Sequence, residues 1–377
     1  GTQTAGLAFG GSPRPSVGTA TEEYNGTSWT NTTAMPTAKF YLAGCGTASS
    51  ALAMAGQVDA QVATSEEFSG GGPATFTVGS SYNTTSQTLK GLSVSTVGSW
   101  SSGGTMNNSQ TNFAGAGTQT AALAFGGTGG STKTEEYNGS SWTNLGNIFS
   151  QEVTNHAGCG TQTAALAFGG QPPPSATNAT SEFNGSSWTA GGNLVTKTLR
   201  AAAAGTQTAG LKVCGSPGSA PYNSNDTQEY NGSSWTAGGN YPHDSKDLGA
   251  CGTQTAAVAF GGDSGQNTET NEYNGSSWTS GGALPSAKNG CKGFGIQTAA
   301  ICMGGGNPPG ATTTLLYDGS TWTAGTNALT RVADFATAKS GTQSAGIIFG
   351  GEGPPPTGAS QEYNGPGSPE TVTISGS

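Results

Sequence analysis

The chain has 377 residues, of which only 9% are charged, and its formal net charge is −9. An acidic composition argues against nucleic acid as a partner, because phosphate binding requires a basic surface. No apolar run approaches the length of a membrane span, so we expect no membrane insertion.

One phrase recurs eight times along the chain. Its fullest copies, GTQTAALAFGG and GTQTAAVAFGG, begin at Gly117, Gly160 and Gly252, and variants begin at Gly1, Gly46, Gly205, Gly295 and Gly341. Successive starts are separated by 45, 71, 43, 45, 47, 43 and 46 residues. A period in the forties built from short strands is typical of a propeller with one blade per repeat. Because the chain begins inside a repeat, we expect it to be part of a longer polypeptide.

The unit that begins at Gly117 predicts the strands of one blade. Residues 120–125 alternate large and small side chains and predict a strand (B), which ends at a Gly doublet. Residues 134–137 and 140–143 predict strands C and D around an Asn-Gly turn, and the segment before each phrase, such as 154–160, predicts strand A. A two-residue Asn-Gly loop places Tyr137 opposite Ser140 and Glu135 opposite Trp142.

These features resemble the kelch repeat of galactose-oxidase-type propellers, in which an apolar strand ends in a Gly doublet and is followed by a Tyr and then a Trp. The matching positions include Phe9, Tyr24 and Trp29; Phe125, Tyr137 and Trp142; Phe168, Phe183 and Trp188; and Phe260, Tyr273 and Trp278. The resemblance implies an all-β fold, a β-propeller of four-stranded antiparallel blades. The near-identity of the units also resembles the repeat-rich structural and tail-fibre proteins of marine bacteriophages. That second resemblance implies a virion or extracellular location, with host cell-surface glycans or proteins and other virion proteins as partners.

Eight B and eight C strands predict a single propeller over residues 1–377 with eight blades, and seven blades plus a degenerate unit is the alternative. The 71-residue step contains an insertion at about residues 71–98, in which 75–78 and 92–97 predict an extra hairpin. The last unit lacks a Trp-bearing strand D. The strand-like segment 370–375 either supplies that strand or closes the first blade.

The two faces of the predicted disc differ in variability. The A–B and C–D turns are short and nearly the same in every unit, whereas the B–C and D–A loops are long and different. We call the side that carries the B–C and D–A loops the loop face and expect binding there, since loops on a rigid scaffold carry function; sequence drift is the alternative explanation. Aromatic rings beside hydrogen-bond acceptors suit sugars. The candidate binding residues are Tyr222, Asp226, Tyr241, His243, Asp244 and Asp247.

The six cysteines divide into two groups. Cys45, Cys159 and Cys251 share one repeat position where other units carry Ala or Ser, which predicts small buried thiols, and Cys214 is also expected in the core. Cys291 and Cys302 fall opposite each other if the intervening turn has an even number of residues. They are therefore a candidate disulfide pair.

The sequence favours a non-catalytic binding module without metal or cofactor. The only histidines, His156 and His243, lie far apart in the sequence, and there is no CxxC pair, GxSxG motif or phosphate loop. A Glu precedes the Tyr position in almost every unit, which is typical of a repeated structural hydrogen bond. One alternative is a structural virion decoration or spacer. The other is a glycan-active enzyme of sialidase or galactose-oxidase type. In the sialidase type, three arginines would bind a substrate carboxylate, and the chain has three, Arg14, Arg200 and Arg331.

Overall fold

The protein is described by a computed structural model that covers residues 6–10, 19–25, 27–32, 34–35, 43–47, 50–54, 65–69, 80–83, 88–94, 98–128, 132–147, 153–172, 175–263, 267–305, 311–331, 333–352, 357–366 and 369–375. Every regular element among these residues is a β-strand, so the all-β class is confirmed. A single propeller was expected over residues 1–377. The chain instead divides into two compact units, residues 1–93 with 371–377 and residues 94–370.

The first unit contains short antiparallel strands. These are β1 (Gly6–Phe9), β2 (Thr21–Tyr24), β3 (Trp29–Asn31), β4 (Ala43–Thr47), β5 (Ser50–Met54), β6 (Ser65–Ser69), β7 (Ser80–Asn83) and β8 (Thr88–Val94). Strands β1–β3 form one three-stranded sheet and β4–β6 another. Within the insertion, β7 and β8 form a hairpin with Asn83 opposite Thr88, whereas the hairpin was expected between residues 75–78 and 92–97. The predicted strand 75–78 lies outside the described residues.

The second unit is a propeller. Its strands are β9 (Ser99–Ser102), β10 (Ala114–Thr118), β11 (Ala121–Phe125), β12 (Lys133–Tyr137), β13 (Trp142–Asn147), β14 (Ala157–Gly160), β15 (Ala165–Phe168), β16 (Thr180–Phe183), β17 (Trp188–Ala190), β18 (Ala202–Gly205), β19 (Gly210–Gly215), β20 (Ser224–Tyr230), β21 (Trp235–Ala237), β22 (Gly249–Gly252), β23 (Ala257–Phe260), β24 (Thr270–Tyr273), β25 (Trp278–Ser280), β26 (Lys292–Ile296), β27 (Ala299–Met303), β28 (Thr314–Tyr317), β29 (Trp322–Ala324), β30 (Ala336–Thr337), β31 (Ala345–Phe349) and β32 (Ser360–Asn364). Within residues 94–370 as described, they form six four-stranded sheets. The innermost strands β10, β14, β18, β22, β26 and β30 are neighbours in that order, and β30 lies beside β10. The sheets therefore close into a ring of six blades.

The sixth blade is completed by a strand from the start of this unit. Its order is β30–β31–β32–β9, and Trp100 of β9 lies opposite Tyr363 of β32. The Trp that the last unit lacks is thus supplied by a segment some 260 residues earlier in the chain. The expected closing segment 370–375 lies in β33 (Pro369–Ser375), which instead joins a three-stranded sheet with β8 and β7. The described strands therefore close a ring of six blades where eight were expected, and the described strands of the repeats that begin at Gly1 and Gly46 form three-stranded sheets of the first unit.

The C–D hairpins differ in register from the prediction. Tyr137 lies directly opposite Trp142, with a ring-centroid separation of 5.0 Å, so the loop has four residues. The side chain of Asn138 explains this longer loop. Its Oδ1 accepts hydrogen bonds from the backbone N–H groups of Ser140 (3.0 Å) and Ser141 (2.9 Å), while Gly139 takes a positive φ of 91°. An Asn side chain that bonds to the backbone ahead of it is a common alternative to the two-residue turn.

The Gln of each GTQ phrase joins its blade to the preceding one. Gln254 Nε2 donates to the carbonyl oxygens of Gly210 (3.0 Å) and Tyr230 (2.7 Å). The corresponding donors in the other blades are Gln119, Gln162, Gln207, Gln297 and Gln343. One primary amide satisfies two carbonyl groups at each blade junction, which explains why the phrase is repeated.

Tryptophans and tyrosines make further contacts between blades. Trp235 Nε1 donates to Thr180 Oγ1 (2.9 Å), and each of the six ring tryptophans makes the equivalent bond to a Thr or Ser of the preceding blade. Tyr273 Oη donates to Glu229 Oε1 at 2.6 Å. The same bond joins Tyr137 to Glu362, Tyr230 to Glu182, and Tyr317 to Glu272. The repeated Glu therefore has the structural role expected for it.

Glycine on the inner strands lets the blades approach closely. A Cβ at Gly158 would lie 2.5 Å from Phe125 Cζ, and one at Gly115 would lie 2.5 Å from Phe349 Cζ. Each Phe belongs to strand B of the preceding blade and is almost completely buried. The Phe of each Phe-Gly-Gly phrase therefore packs against the small residues of strand A in the next blade.

Candidate functional site

Three D–A loops of the loop face are held by buried side chains of strand C. Gln228 Oε1 accepts a hydrogen bond from Val195 N, and Gln361 Oε1 accepts one from Leu329 N, both at 2.8 Å. The carboxylate of the buried Glu135 accepts four hydrogen bonds from the backbone and side-chain amides of Asn107 and Asn108. Each of these three loops is therefore held in a single conformation, although their sequences differ.

The fixed loops present apolar side chains to solvent. Val195 is 60% exposed, Leu329 is 52% exposed, and Tyr222 in the B–C loop of the third blade is 65% exposed. Single exposed apolar residues are ordinary on protein surfaces. Here all three lie on the loop face of the ring, and hydrogen bonds hold the loop backbone close to each of them.

A cluster of charged groups lies beside Tyr222, between the third and fourth blades. Asn223 Nδ2 donates to the carbonyl oxygen of Asp263 (2.9 Å), and Asp263 Oδ2 pairs with Lys246 Nζ at 3.3 Å. His243 Nδ1 lies 3.0 Å from Glu269 Oε2. We define the Tyr222 patch as the set of residues Tyr222, His243, Asp244, Lys246, Asp263 and Glu269.

The structure brings together only part of the predicted binding set. Tyr222 lies on the B–C loop of the third blade, and His243 and the exposed Asp244 lie on the D–A loop that follows the same blade. Asp247 lies at the axial end of the same loop, where its Oδ2 accepts a hydrogen bond from Arg200 Nη1 at 3.2 Å. The sequence analysis missed Lys246, Asp263 and Glu269, because their partners come from other loops and only the fold brings them into contact.

Asp226 is a structural residue of strand β20. It forms an ion pair with Lys212 Nζ at 2.5 Å, and Lys212 is completely buried. Burial alone would raise the pKa of Asp226, but the Lys212 ammonium and hydrogen bonds from Ser224 and Gln228 outweigh it and lower the pKa to about 2. The Asp226 carboxylate neutralises the buried Lys212 ammonium, so its role is structural.

Tyr241 is a core residue rather than a surface ring. It is 1% exposed and packs edge-to-face against Trp278 at a centroid distance of 5.1 Å. Its hydroxyl accepts a hydrogen bond from Asn271 Nδ2 at 2.9 Å. Burial raises the pKa of Tyr241 well above its ordinary value. An aromatic residue in a variable loop suggested exposure, but the loop folds back and inserts the ring between blades.

The inner strands begin at a ring of residues in the left-handed region. Positive φ values between 49° and 70° occur at Asn112, Asn155, Arg200, Asp247, Gly290 and Asp334, one in each blade. Backbone N–H groups in this ring donate to the carbonyl oxygen of the preceding member, for example Asn155 to Asn112 and Arg200 to Asn155, each at 2.8 Å. The inner strands that follow these residues line the channel along the propeller axis. On the loop face, the channel is therefore surrounded by backbone N–H and carbonyl groups.

The cysteines behave partly as expected. Cys159, Cys214 and Cys251 are completely buried, which confirms their core position, while the side chain of Cys45 lies outside the described residues. Cys291 and Cys302 are buried in one cluster but are free thiols. The register places Gly293, not Cys291, opposite Cys302. The two residues are therefore not directly opposite each other as expected, because the A–B turn shifts the register by two residues.

The described residues that were considered for catalysis lie in different environments. Arg200 pairs with Asp247, Arg331 is exposed, and Arg14 lies outside the described residues. His156 is buried in the wall of the axial channel, with Nε2 3.1 Å from the carbonyl oxygen of Phe125, whereas His243 belongs to the Tyr222 patch. In the part of the chain that the structure describes, no group of three or more His, Cys, Asp or Glu residues has the arrangement of a metal site.

Comparison with known proteins assigns no family. No protein-family model matches the chain, and no curated protein matches it. Within the described ranges, no helix is long and apolar enough to cross a membrane.

Proposed function

We propose that the protein is a non-catalytic binding module that recognises a host cell-surface glycan through its loop face. The observation that carries the proposal is the combination of variable loops, a fixed loop backbone and exposed side chains at the Tyr222 patch. A preorganised surface loses little conformational entropy on binding, and this favours affinity. The exposed ring of Tyr222 offers a stacking surface, and the neighbouring carboxylates offer acceptors for sugar hydroxyl groups.

We also propose that this module belongs to a virion, as a tail-fibre or receptor-binding domain located on the particle or outside the cell. The support is the resemblance of the near-identical repeats to phage structural proteins. The proposal requires no cofactor, and its partners are the host glycan or protein and the other proteins of the particle.

A glycan array followed by titration of the best ligand tests the glycan proposal. Tyr222→Ala removes the stacking ring and should weaken binding about tenfold, since a lost stacking contact of about 1.4 kcal/mol corresponds to that factor. Tyr222→Phe retains the ring and should bind nearly as the wild type does. Ile296→Ala, at an exposed residue of an A–B turn, provides a control on the opposite side of the ring.

An array without a bound glycan, or equal affinity of the wild type and Tyr222→Ala, would contradict the proposal. A structural role as a decoration or spacer is the second candidate. It is favoured by Val195 and Leu329, whose exposed aliphatic side chains suit a protein surface better than a sugar. In that case polar substitutions at these two residues, and not Tyr222→Ala, should prevent incorporation of the protein into its assembly.

A further inference from the structure

The inner strand of the sixth blade carries two extra residues. In the other five blades four residues separate the left-handed residue from the Gly that opens the repeat phrase, as between Asn112 and Gly117. Six residues separate Asp334 from Gly341. The additional length forms a turn at Lys339 and Ser340.

This turn reaches the inner strands of four other blades. Ser340 N donates to the carbonyl oxygen of Gly117 (2.8 Å) and Ser340 Oγ donates to that of Gly160 (2.9 Å). Lys339 Nζ donates to the carbonyl oxygens of Ala250 (3.1 Å) and Gly293 (3.2 Å). The first, second, fourth and fifth blades are thus bridged by two residues, which places the Lys339 ammonium on the axis of the ring.

A second lysine enters the same channel from the fifth blade. Lys292 lies on β26 at the position that holds Ala114, Ala157, Ala202 and Ala336 in other blades. It is half-buried, lines the axial cavity together with Lys339, and has no hydrogen-bond partner among the described residues. Two cations therefore line one cavity in a protein whose net charge is −9.

No group in the described wall of the cavity neutralises these charges. The lining contains no carboxylate. His156, which lines the cavity, is neutral at neutral pH because burial lowers its pKa to about 4. Cys159 and Cys251 lie near Lys339 outside the lining, and burial raises the pKa of each thiol to about 12. Burial, with a further contribution from the nearby Lys292 charge, lowers the pKa of Lys339 to about 8.

We infer that the axial channel of the propeller is a binding site for a small inorganic anion held between Lys292 and Lys339. The cavity has a volume of about 30 Å³, whereas a single water molecule needs about 10–15 Å³ measured in the same way. This space fits an anion of the size of chloride or nitrate. The anion supplies the missing counter-charge, and its site is separate from the Tyr222 patch.

Thermal unfolding at constant ionic strength tests the site. In the buffer of the full chain, chloride replaces gluconate, which is a much larger organic anion. The wild type should gain about 5 °C in Tm at a chloride concentration one hundred times its Kd. Lys292→Ala restores the residue found in the equivalent blades and should abolish this gain. Lys197→Ala, at an exposed lysine, should retain it.

Crystals grown in sodium bromide give a second, direct measurement. The wild type should show a bromide anomalous peak beside the Nζ atoms of Lys292 and Lys339, and Lys292→Ala should lack it. A wild-type channel without bromide, a wild-type Tm that does not distinguish chloride from gluconate, or an equal chloride effect in Lys292→Ala would each overturn the inference.

Discussion

Replacing Phe183 by Tyr completes an inter-blade hydrogen bond that the second blade lacks. Tyr230, Tyr273 and Tyr317 each donate to the Glu that precedes the aromatic position in the blade before them. Phe183 occupies the equivalent position, and its expected partner is Glu136 of the first blade. Burial raises the pKa of Glu136, which is consistent with a carboxylate that lacks a hydrogen-bond donor.

The expected gain follows from the neighbouring blades. A hydrogen bond to a charged group contributes about 1.5–3 kcal/mol to stability, but Glu136 is only partly buried and solvent weakens the interaction. We therefore expect the free energy of unfolding to rise by about 1 kcal/mol. For a unit of about 280 residues, this corresponds to an increase in Tm of about 2 °C.

Urea unfolding of four proteins measures this bond: the wild type, Phe183→Tyr, Glu136→Ala and the double variant. Tyr230→Phe removes the same bond in the next blade and should lose a similar amount. In the Glu136→Ala background the new hydroxyl has no acceptor, so Phe183→Tyr should give no gain there. An equal gain in both backgrounds would refute the reasoning, because the hydroxyl would then act without the carboxylate.

Two further predictions concern His156 and Trp100. Burial lowers the pKa of His156 from 6.5 to about 4, so below pH 6.5 the unfolded chain binds a proton that the folded chain excludes. The free energy of unfolding should therefore fall by up to about 3 kcal/mol as the pH falls from 6.5 to 4. His156→Phe introduces the residue found at the equivalent position of the first blade, Phe113, and should remove this pH dependence. Urea titrations at pH 7 and pH 4.5 measure it. Trp100→Ala should lower the free energy of unfolding of the ring by about 3–5 kcal/mol. Trp29→Ala, at a side chain that is 51% exposed, should lower it by less than about 1 kcal/mol in the same measurement. Similar losses for both variants would show that Trp100 does not close the ring.

The sequence predicted local structure well where one repeat determines it. Alternating large and small residues located strand B, the Asn-Gly turn located strands C and D, and the Tyr and Trp positions indicated the aromatic contacts. The same local pattern was insufficient for the C–D hairpin, where the Asn138 side chain selects a four-residue loop. It was also insufficient for Tyr241 and Asp226, since only the neighbouring blade and the buried Lys212 make them structural residues.

The amino-acid sequence by itself determined the strand content, the order of strands in a blade and the division into constant turns and variable loops. These depend on contacts within about forty residues. Only the tertiary structure decided how many blades close the ring, which strand completes the last one and which charges meet in the channel. A repeat specifies a junction between two blades in nearly the same way everywhere, so it carries no information on where the series ends. That choice depends on the pairing of β9 with β32, and on the turn at Lys339 and Ser340 that reaches four other blades.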